Sequence, residues 1–470
     1  MAWGLLLAPI ALFDVRYAKG RATFDQVLFH EHTIGSMVDT WPIAKLTNPE
    51  HYVAMTPGFH WVMAGVSKAT GLVDGGLRMA ALLLCVAFFG VVGTMLGRRC
   101  GTVLGSLLML PLLASVYVAN SGAWLLADNA GWFWVAVLSF AAIFTRPSLR
   151  WSLLVALGLL LAVWTRQNLL FVALPLWVAA WLRSPPDGPQ SVNPLVGVRI
   201  RAMNLLPLAI ATLPAVLSLV YLYRIWGGLV PYEFQGQYDG VSPSNVALQL
   251  VMLATLGWFF LPLILGVGEP GSSARLSNLF QKTAPWMAFS GLLAGVVVFF
   301  VPTTYAPKEG RAGLAWSLMD RLNPLGPIGQ TNLFVVFLAA IGAALLVFML
   351  ACVPPRRRWI LGALFAGFAA AQVASSEVWQ RYHEPFALLF LALLTAAAVR
   401  ERGVGMARSR RLQVVPLAVL ALGLSGATTV VLWQREIAPW RSGEPQVPVT
   451  PLLPEPPPRD PVAASPIELL

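Results

Sequence analysis

Charge is what this chain has least of. Only 11% of its 470 residues are Asp, Glu, Lys or Arg, against about 25% in an average soluble domain. Hydrophobic residues make up 57% and the mean hydropathy is +0.70, which excludes an ordinary soluble globule and gives an integral membrane protein. Cysteine is equally scarce: Cys85, Cys100 and Cys352 show no CxxC spacing, so neither a disulfide framework nor a zinc site is indicated, and they read as packing residues. The net charge is +11, but in a multipass chain its distribution matters more than its sum, and no nucleic-acid partner is assigned.

Long apolar runs are abundant. They fall at roughly 1–13, 76–97, 102–119, 129–145, 151–163, 168–182, 203–223, 247–267, 284–301, 331–353, 358–374, 384–399 and 412–433. Each is near the length that crosses a hydrocarbon core of about 30 Å, so the expected fold is all-α and polytopic, with about 11–13 transmembrane helices. The first run, MAWGLLLAPIALF, is short. No Lys or Arg precedes it and no small-x-small cleavage site follows, so a helix trimmed at its start is expected rather than a signal peptide.

Alternating the loops sorts the charge. One set carries Arg98, Arg99, Arg146, Arg150, Arg356, Arg357, Arg358, Arg400, Arg408, Arg410 and Arg411 among others, with few acids. The positive-inside rule puts that set in the cytoplasm. The long loops 14–75, 224–246 and 302–330 and a proline-rich tail at 434–470 then face outward, beyond a membrane domain at 1–433. High Ala, Leu, Arg and Pro usage points to a bacterial inner or plasma membrane.

The polar residues concentrate in the first outer loop. "FDQVLFHEHTI" brings Asp25, His30, Glu31 and His32 into eight positions. Its apolar residues have helical spacing, so a surface helix over Asp25–Met37 is expected, and a merely solvated face with Asp25, Gln26 and His32 stays open. "TPGFH" predicts a second surface helix with Pro57 at its first position and Thr56 as cap. Three more clusters fall at helix ends on the same side. "LADNAGW" holds Asp128, read as an N-cap. "WTRQN" holds Arg166 and Gln167, where a snorkelling arginine is the simple reading. "SEVWQRYHEPF" holds Glu377, Arg381, His383 and Glu384, with Pro385 able to open a helix. Ionisable groups at membrane depth are costly unless paired or wet, so their gathering on one side suggests a site for a lipid-linked anion.

The order "FDQVLFHEHTI … WP … TPGFHWVMAG", "LADNAGW", "WTRQNLLFVALPLW", "YRIWGGLVPYEFQG", "SEVWQRYHEPFALLF" resembles the GT-C superfamily of polyprenyl-phosphate-sugar-dependent glycosyltransferases. Within it, the order is most similar to the dolichyl-phosphate-glucose alpha-1,2-glucosyltransferases and their bacterial relatives. The resemblance covers about 20–390. Asp25 matches the first acid of the family's pair, His30 the following histidine, "MTPGFH" the turn, Arg166 and Gln167 the "RQ" pair, and Arg381 and Tyr382 the late "RY". The second acid is Gln26 here, which leaves Asp25 or Glu31 as base.

The resemblance implies a GT-C fold and inverting transfer of a single hexose from a polyprenyl-phosphate donor to a glycan or glycolipid acceptor at the bilayer's outer face. Asp25 would be the general base, and Arg381 and Arg166 would steady the departing phosphate. His60, His383 and Glu384 are further substrate-binding candidates beside His30 and Gln167. No cofactor beyond the donor lipid is implied. Asp25, Glu31 and His32 offer ligands for a divalent metal, but their spacing matches no metal signature, and none is assigned. The alternative is a transporter or flippase for a lipid-linked or polyanionic substrate. Such proteins carry internal repeats and mid-helix charges, and the chain shows no clear repeat between its halves.

Overall fold

A computed structural model describes residues 2–12, 21–47, 50–182, 194–267, 271–323, 326–399 and 409–434. The tail beyond 434 and the basic segment 400–408 lie outside the described residues.

Each apolar run is helical. Among the described residues, seven helices are long and apolar enough to cross a membrane: Asp74–Cys100, Ala202–Trp226, Ser244–Leu265, Ser272–Phe299, Leu333–Ala351, Gln380–Val399 and Gln413–Leu432. Four shorter apolar helices join them: Ala2–Leu12, Asp128–Phe144, Leu149–Thr165 and Gln167–Trp181. Pro355–Val373 has span length too, but its first turn carries Arg356, Arg357 and Arg358. The run at 102–119 differs from expectation. It is two helices, Thr102–Ala114 and Val116–Ala123, bent by 78° at Ser115, whose backbone is extended. The Ser115 hydroxyl donates to the Glu384 carboxylate at 2.7 Å, which ties the break to the innermost helix.

Gln380–Val399 is the innermost helix, with 94% of its span buried. Phe386 on it stacks on Phe368, ring centroids 3.8 Å apart. Small residues let neighbouring backbones close in. A Cβ on Gly342 would sit 2.0 Å from the Leu250 carbonyl oxygen.

The long loops meet at one end of the bundle. The Trp226 indole donates to the Leu46 carbonyl at 2.6 Å, and Phe29 packs edge-on against Phe234. Arg311–Ala312 pairs with Val378–Trp379 as a two-residue parallel ladder. Ser376 donates to the Gln237 carbonyl at 2.6 Å. Sequence-distant segments are thereby tied around the first turn of the innermost helix.

Within the first loop the expected helix is one run of three parts: Arg21–Asp25, a π turn over Gln26–His30, and Glu31–Val38. It is not a solvated face. Asp25 is 6% exposed, Gln26 is fully buried and His30 is 4% exposed, because the other loops and the Ala123–Ala127 turn cover it. The Gln26 amide oxygen accepts from the backbone of Leu125 at 3.0 Å. Gly58–Thr70 is the second helix, but Thr56 does not cap it. Its hydroxyl donates to the Val163 carbonyl at 2.7 Å and fastens the loop to the bundle.

Candidate active site

Asp25 closes the Arg21–Asp25 segment just before the π turn, a distortion found often at functional sites. Arg381 and Tyr382 stand in the first turn of the innermost helix. Arg381 Nη1 donates to Asp25 Oδ2 at 2.9 Å, and its Nη2 donates to the Tyr382 hydroxyl at 2.7 Å. Arg166, where Leu149–Thr165 gives way to the next helix, donates to that same hydroxyl through Nη2 at 3.1 Å. Its Nη1 pairs with the Asp128 carboxylate. The result is a relay of five side chains, Asp25–Arg381–Tyr382–Arg166–Asp128, in which one phenol oxygen receives two guanidinium groups, each tethered to a carboxylate.

Two cations this close would repel unless neutralised. The carboxylates supply that, and aromatic faces add to it: Arg381 lies 4.4 Å from the Trp379 ring centre, and both arginines lie within 5 Å of the Tyr382 ring. Burial, then the neighbouring Tyr382, raises the Tyr238 phenol above its ordinary range. One donor is left over. Arg381 Nε is buried without a hydrogen-bond partner among the described residues, and an unpaired charged donor of this kind is costly until a ligand supplies an acceptor.

Arg166, Gln167, Tyr382 and Tyr238 stand on the wall of a cavity of about 730 Å³. Away from them the lining turns apolar, with Leu170, Phe171, Leu174, Trp177, Leu219 and Leu229. Asp25 and Arg381 are not on that wall; Arg381 sits one hydrogen bond behind it, across the Tyr382 hydroxyl, and Asp25 one bond further. Gln167 also donates to the Ala54 carbonyl at 3.0 Å.

Beside the relay lie two more networks. His30 Nδ1 and His60 Nε2 are 2.9 Å apart, and His51 meets His60 edge-on. Burial holds His30 and His51 down to about 4. Burial, then His30 and His51, keeps His60 well below its usual value. All three are therefore neutral near pH 7, and the pair shares one donor and one acceptor. Glu31 accepts from the Gln26 amide at 2.5 Å and lies 3.8 Å from Arg78. Its carboxyl is raised by burial, against the pull of Gln26 and Arg78.

No family model matches the chain, and no curated protein matches it. Among solved structures, it is similar to the crystal structure of ArnT from Cupriavidus metallidurans in the apo state. The identity is 15%, the TM-score 0.36, and the match covers 84% of this chain and 76% of that one. The functional reading therefore rests on the residues themselves.

Of the residues expected from sequence, Asp25, Arg166 and Arg381 enter one hydrogen-bonded cluster. His30 and His60 meet each other, and Glu31 joins a separate pair. His383 and Glu384 turn elsewhere. His383 Nε2 bonds the Asn245 amide oxygen at 2.8 Å while its ring abuts Phe368. Glu384 accepts from Ser115 and from Gln380 at 2.7 Å. Both brace the bundle, because successive side chains on a helix diverge by about 100°. Pro385 does not open that helix, which begins at Gln380. Asp128 is not an N-cap, since the residue before its helix, Ala127, has helical backbone angles and the cap has no side-chain bond. Arg166 does not snorkel to water; it is claimed by Asp128 and Tyr382. Among the described residues, no group of three or more His, Cys, Asp or Glu is arranged to hold a metal ion.

Tyr382, Asp128, Tyr238 and His51 are the residues that sequence reasoning undervalued. The signal for Asp128 was its charge in a chain so poor in charge. His51 is one of only five histidines.

Proposed function

We propose that the chain is a GT-C-type glycosyltransferase. It transfers a single sugar, with inversion, from a polyprenyl-phosphate-linked donor to a glycan or glycolipid acceptor at the extracytoplasmic face of the membrane. The observation that carries this reading is the shared phenol. It joins Arg166, on the polar wall of a cavity whose remainder is apolar, to Arg381 directly behind that wall, the chemistry of a phosphate attached to a hydrocarbon chain.

In this mechanism the polyprenyl chain lies along Leu170, Leu174 and Trp177, and its phosphate meets Arg166 and Arg381. The idle Nε of Arg381 gains an acceptor. Phosphate oxygens compete with Asp25 for Arg381, and the Asp25 carboxylate is thereby freed. The acceptor hydroxyl attacks the anomeric carbon, and Asp25 takes its proton. The bond from that carbon to the phosphate oxygen breaks with its electron pair on oxygen. The resulting polyprenyl phosphate is stabilised by the two arginines. The charge is handed from carboxylate to phosphate without leaving a guanidinium uncompensated at any stage.

A carrier would instead need its ionisable groups near mid-span. The relay sits at helix ends, which favours the transferase.

The decisive experiment is transfer by the purified protein in detergent, from radiolabelled polyprenyl-phosphate sugars to a membrane-lipid extract, wild type beside Asp25→Asn. Turnover in the wild type and its loss in the variant support the assignment. Near-normal turnover by Asp25→Asn would overturn the role of the base.

A further inference from the structure

Four arginines gather at the end of the bundle away from Asp25. Arg78, near the start of Asp74–Cys100, faces Glu31 beside the relay. Arg99 follows it by 21 residues on the same helix, about 32 Å along the axis, so it stands at the opposite edge of a hydrocarbon core.

Arg99 is only 8% exposed. Its guanidinium lies 4.6 Å from the centre of the Phe144 ring, and Arg357 approaches the same ring at 5.8 Å. Arg146 follows Phe144 by two residues. Arg356 sits close enough that Arg357 and Arg146 both disfavour its charge, after burial itself. Among the described residues no carboxylate pairs with Arg99, Arg146 or Arg356. Arg356 and Arg357 also occupy the first turn of Pro355–Val373, where the helix dipole favours anions and opposes cations.

Arg99 Nε and Nη2 are buried and have no hydrogen-bond partner among the described residues. An aromatic face offsets part of a guanidinium's charge, but it accepts no in-plane N–H bond. Arg358, by contrast, is satisfied by the carbonyls of Leu350, Ala351 and Val353. Among the described residues, Arg99 therefore lacks an anion with acceptor oxygens for these two donors. Trp359, 66% exposed, and Leu149, 74% exposed, flank the cluster with apolar surface at the level where tryptophan marks a membrane interface.

We propose that Arg99, Arg146 and Arg356 hold the phosphodiester headgroup of an anionic phospholipid, in the leaflet opposite the candidate active site. Basic pockets between membrane helices bind such headgroups. The phosphate oxygens accept from Arg99 Nε and Nη2, and the acyl chains run along the apolar flank. This site is separate from the donor cavity and does not depend on the activity proposed above.

The test is lipid binding to the purified full-length protein by native mass spectrometry, titrating phosphatidylglycerol and phosphatidylcholine. Phosphatidylglycerol should bind more tightly, and Arg99→Gln should weaken it about fivefold without changing phosphatidylcholine binding. Arg146 is exposed, so Arg146→Gln leaves folding intact and should weaken phosphatidylglycerol to a similar degree. It decides the matter if Arg99→Gln does not fold. Equal affinity for the two lipids, or unchanged phosphatidylglycerol binding in Arg146→Gln, would overturn the proposal. Displacement of phosphatidylglycerol by inorganic phosphate at equal concentration would overturn the lipid as occupant and assign the site to a soluble phosphate.

Discussion

Asp25 and Arg381 are 356 positions apart in the chain and 2.9 Å apart in the fold. Each answers the other's buried charge, and removing one strands its partner. For a pair this enclosed the stranded charge costs about 3–5 kcal/mol, discounted here because Arg381 keeps 20% of its side chain exposed.

Asp25→Asn keeps the shape and can still accept from Arg381 through its amide oxygen, but it cannot take a proton. Transfer should fall by a factor of about 10²–10⁴, with the midpoint of thermal unfolding in detergent only modestly lowered. A variant that loses its fold along with its activity would not speak to the base.

Tyr382→Phe keeps the ring under both arginines and deletes the oxygen that joins them. Two buried donors lose their acceptor, at about 1–3 kcal/mol for an unsatisfied group. In the proposed reaction the donor KM should rise about tenfold while the protein stays folded. An unchanged KM would show that the phenol merely fills space.

Because the proposed donor phosphate displaces Asp25 from Arg381, binding should be ordered, donor first. Initial-rate patterns with both substrates varied, and product inhibition by the polyprenyl phosphate, report that order. Arg381→Lys keeps a cation but not the fork of donors, and it should weaken donor use more than acceptor use.

Acid should loosen the first loop. His30 and His51 bind a proton only near pH 4 when folded, against about 6.5 in the unfolded chain. Between those values the unfolded state binds more protons, so stability present above pH 6.5 is lost as the pH falls. By pH 5 the loss is on the order of 2 kcal/mol for each histidine. Unfolding midpoints at pH 7.5, 6.5 and 5 measure it, and His51→Gln should flatten the slope.

Gly342→Ala tests the packing directly. The new methyl would meet the Leu250 carbonyl oxygen, so the helices must separate, and overpacking of this kind costs about 1–3 kcal/mol or more. Gly362→Ala, inside Pro355–Val373 where nothing lies within 4 Å, should hold or slightly raise the unfolding midpoint, because alanine is the better helix former.

The helices were legible because a run of apolar residues has one economical conformation in lipid. Their ends were less so. Gln380–Val399 begins four residues before its apolar run at 384, since the polar turn Gln380–His383 finds partners in neighbouring loops. The break at Ser115 follows Pro111 by one turn, but its contact with Glu384, far away in sequence, is not written in any local pattern. Motif residues such as Asp25, Arg166 and Arg381 could be singled out, but not their pairings, because a guanidinium carries no mark of which carboxylate will claim it. Asp128 and Thr56 show the same limit. Each has the chemistry of a helix cap, and a tertiary partner took that chemistry instead.

Gln380–Val399 is the innermost helix, and among the described helices only Ser409–Leu432 comes after it in the chain. During synthesis the helices that will surround it must wait in the bilayer, unable to close, until the ribosome has passed residue 399. The acid of the first loop is thus made early and waits for its counter-ion until Arg381 is added. A chain truncated before residue 380 would hold most of the membrane domain and half of the relay, with a hollow where its axis belongs.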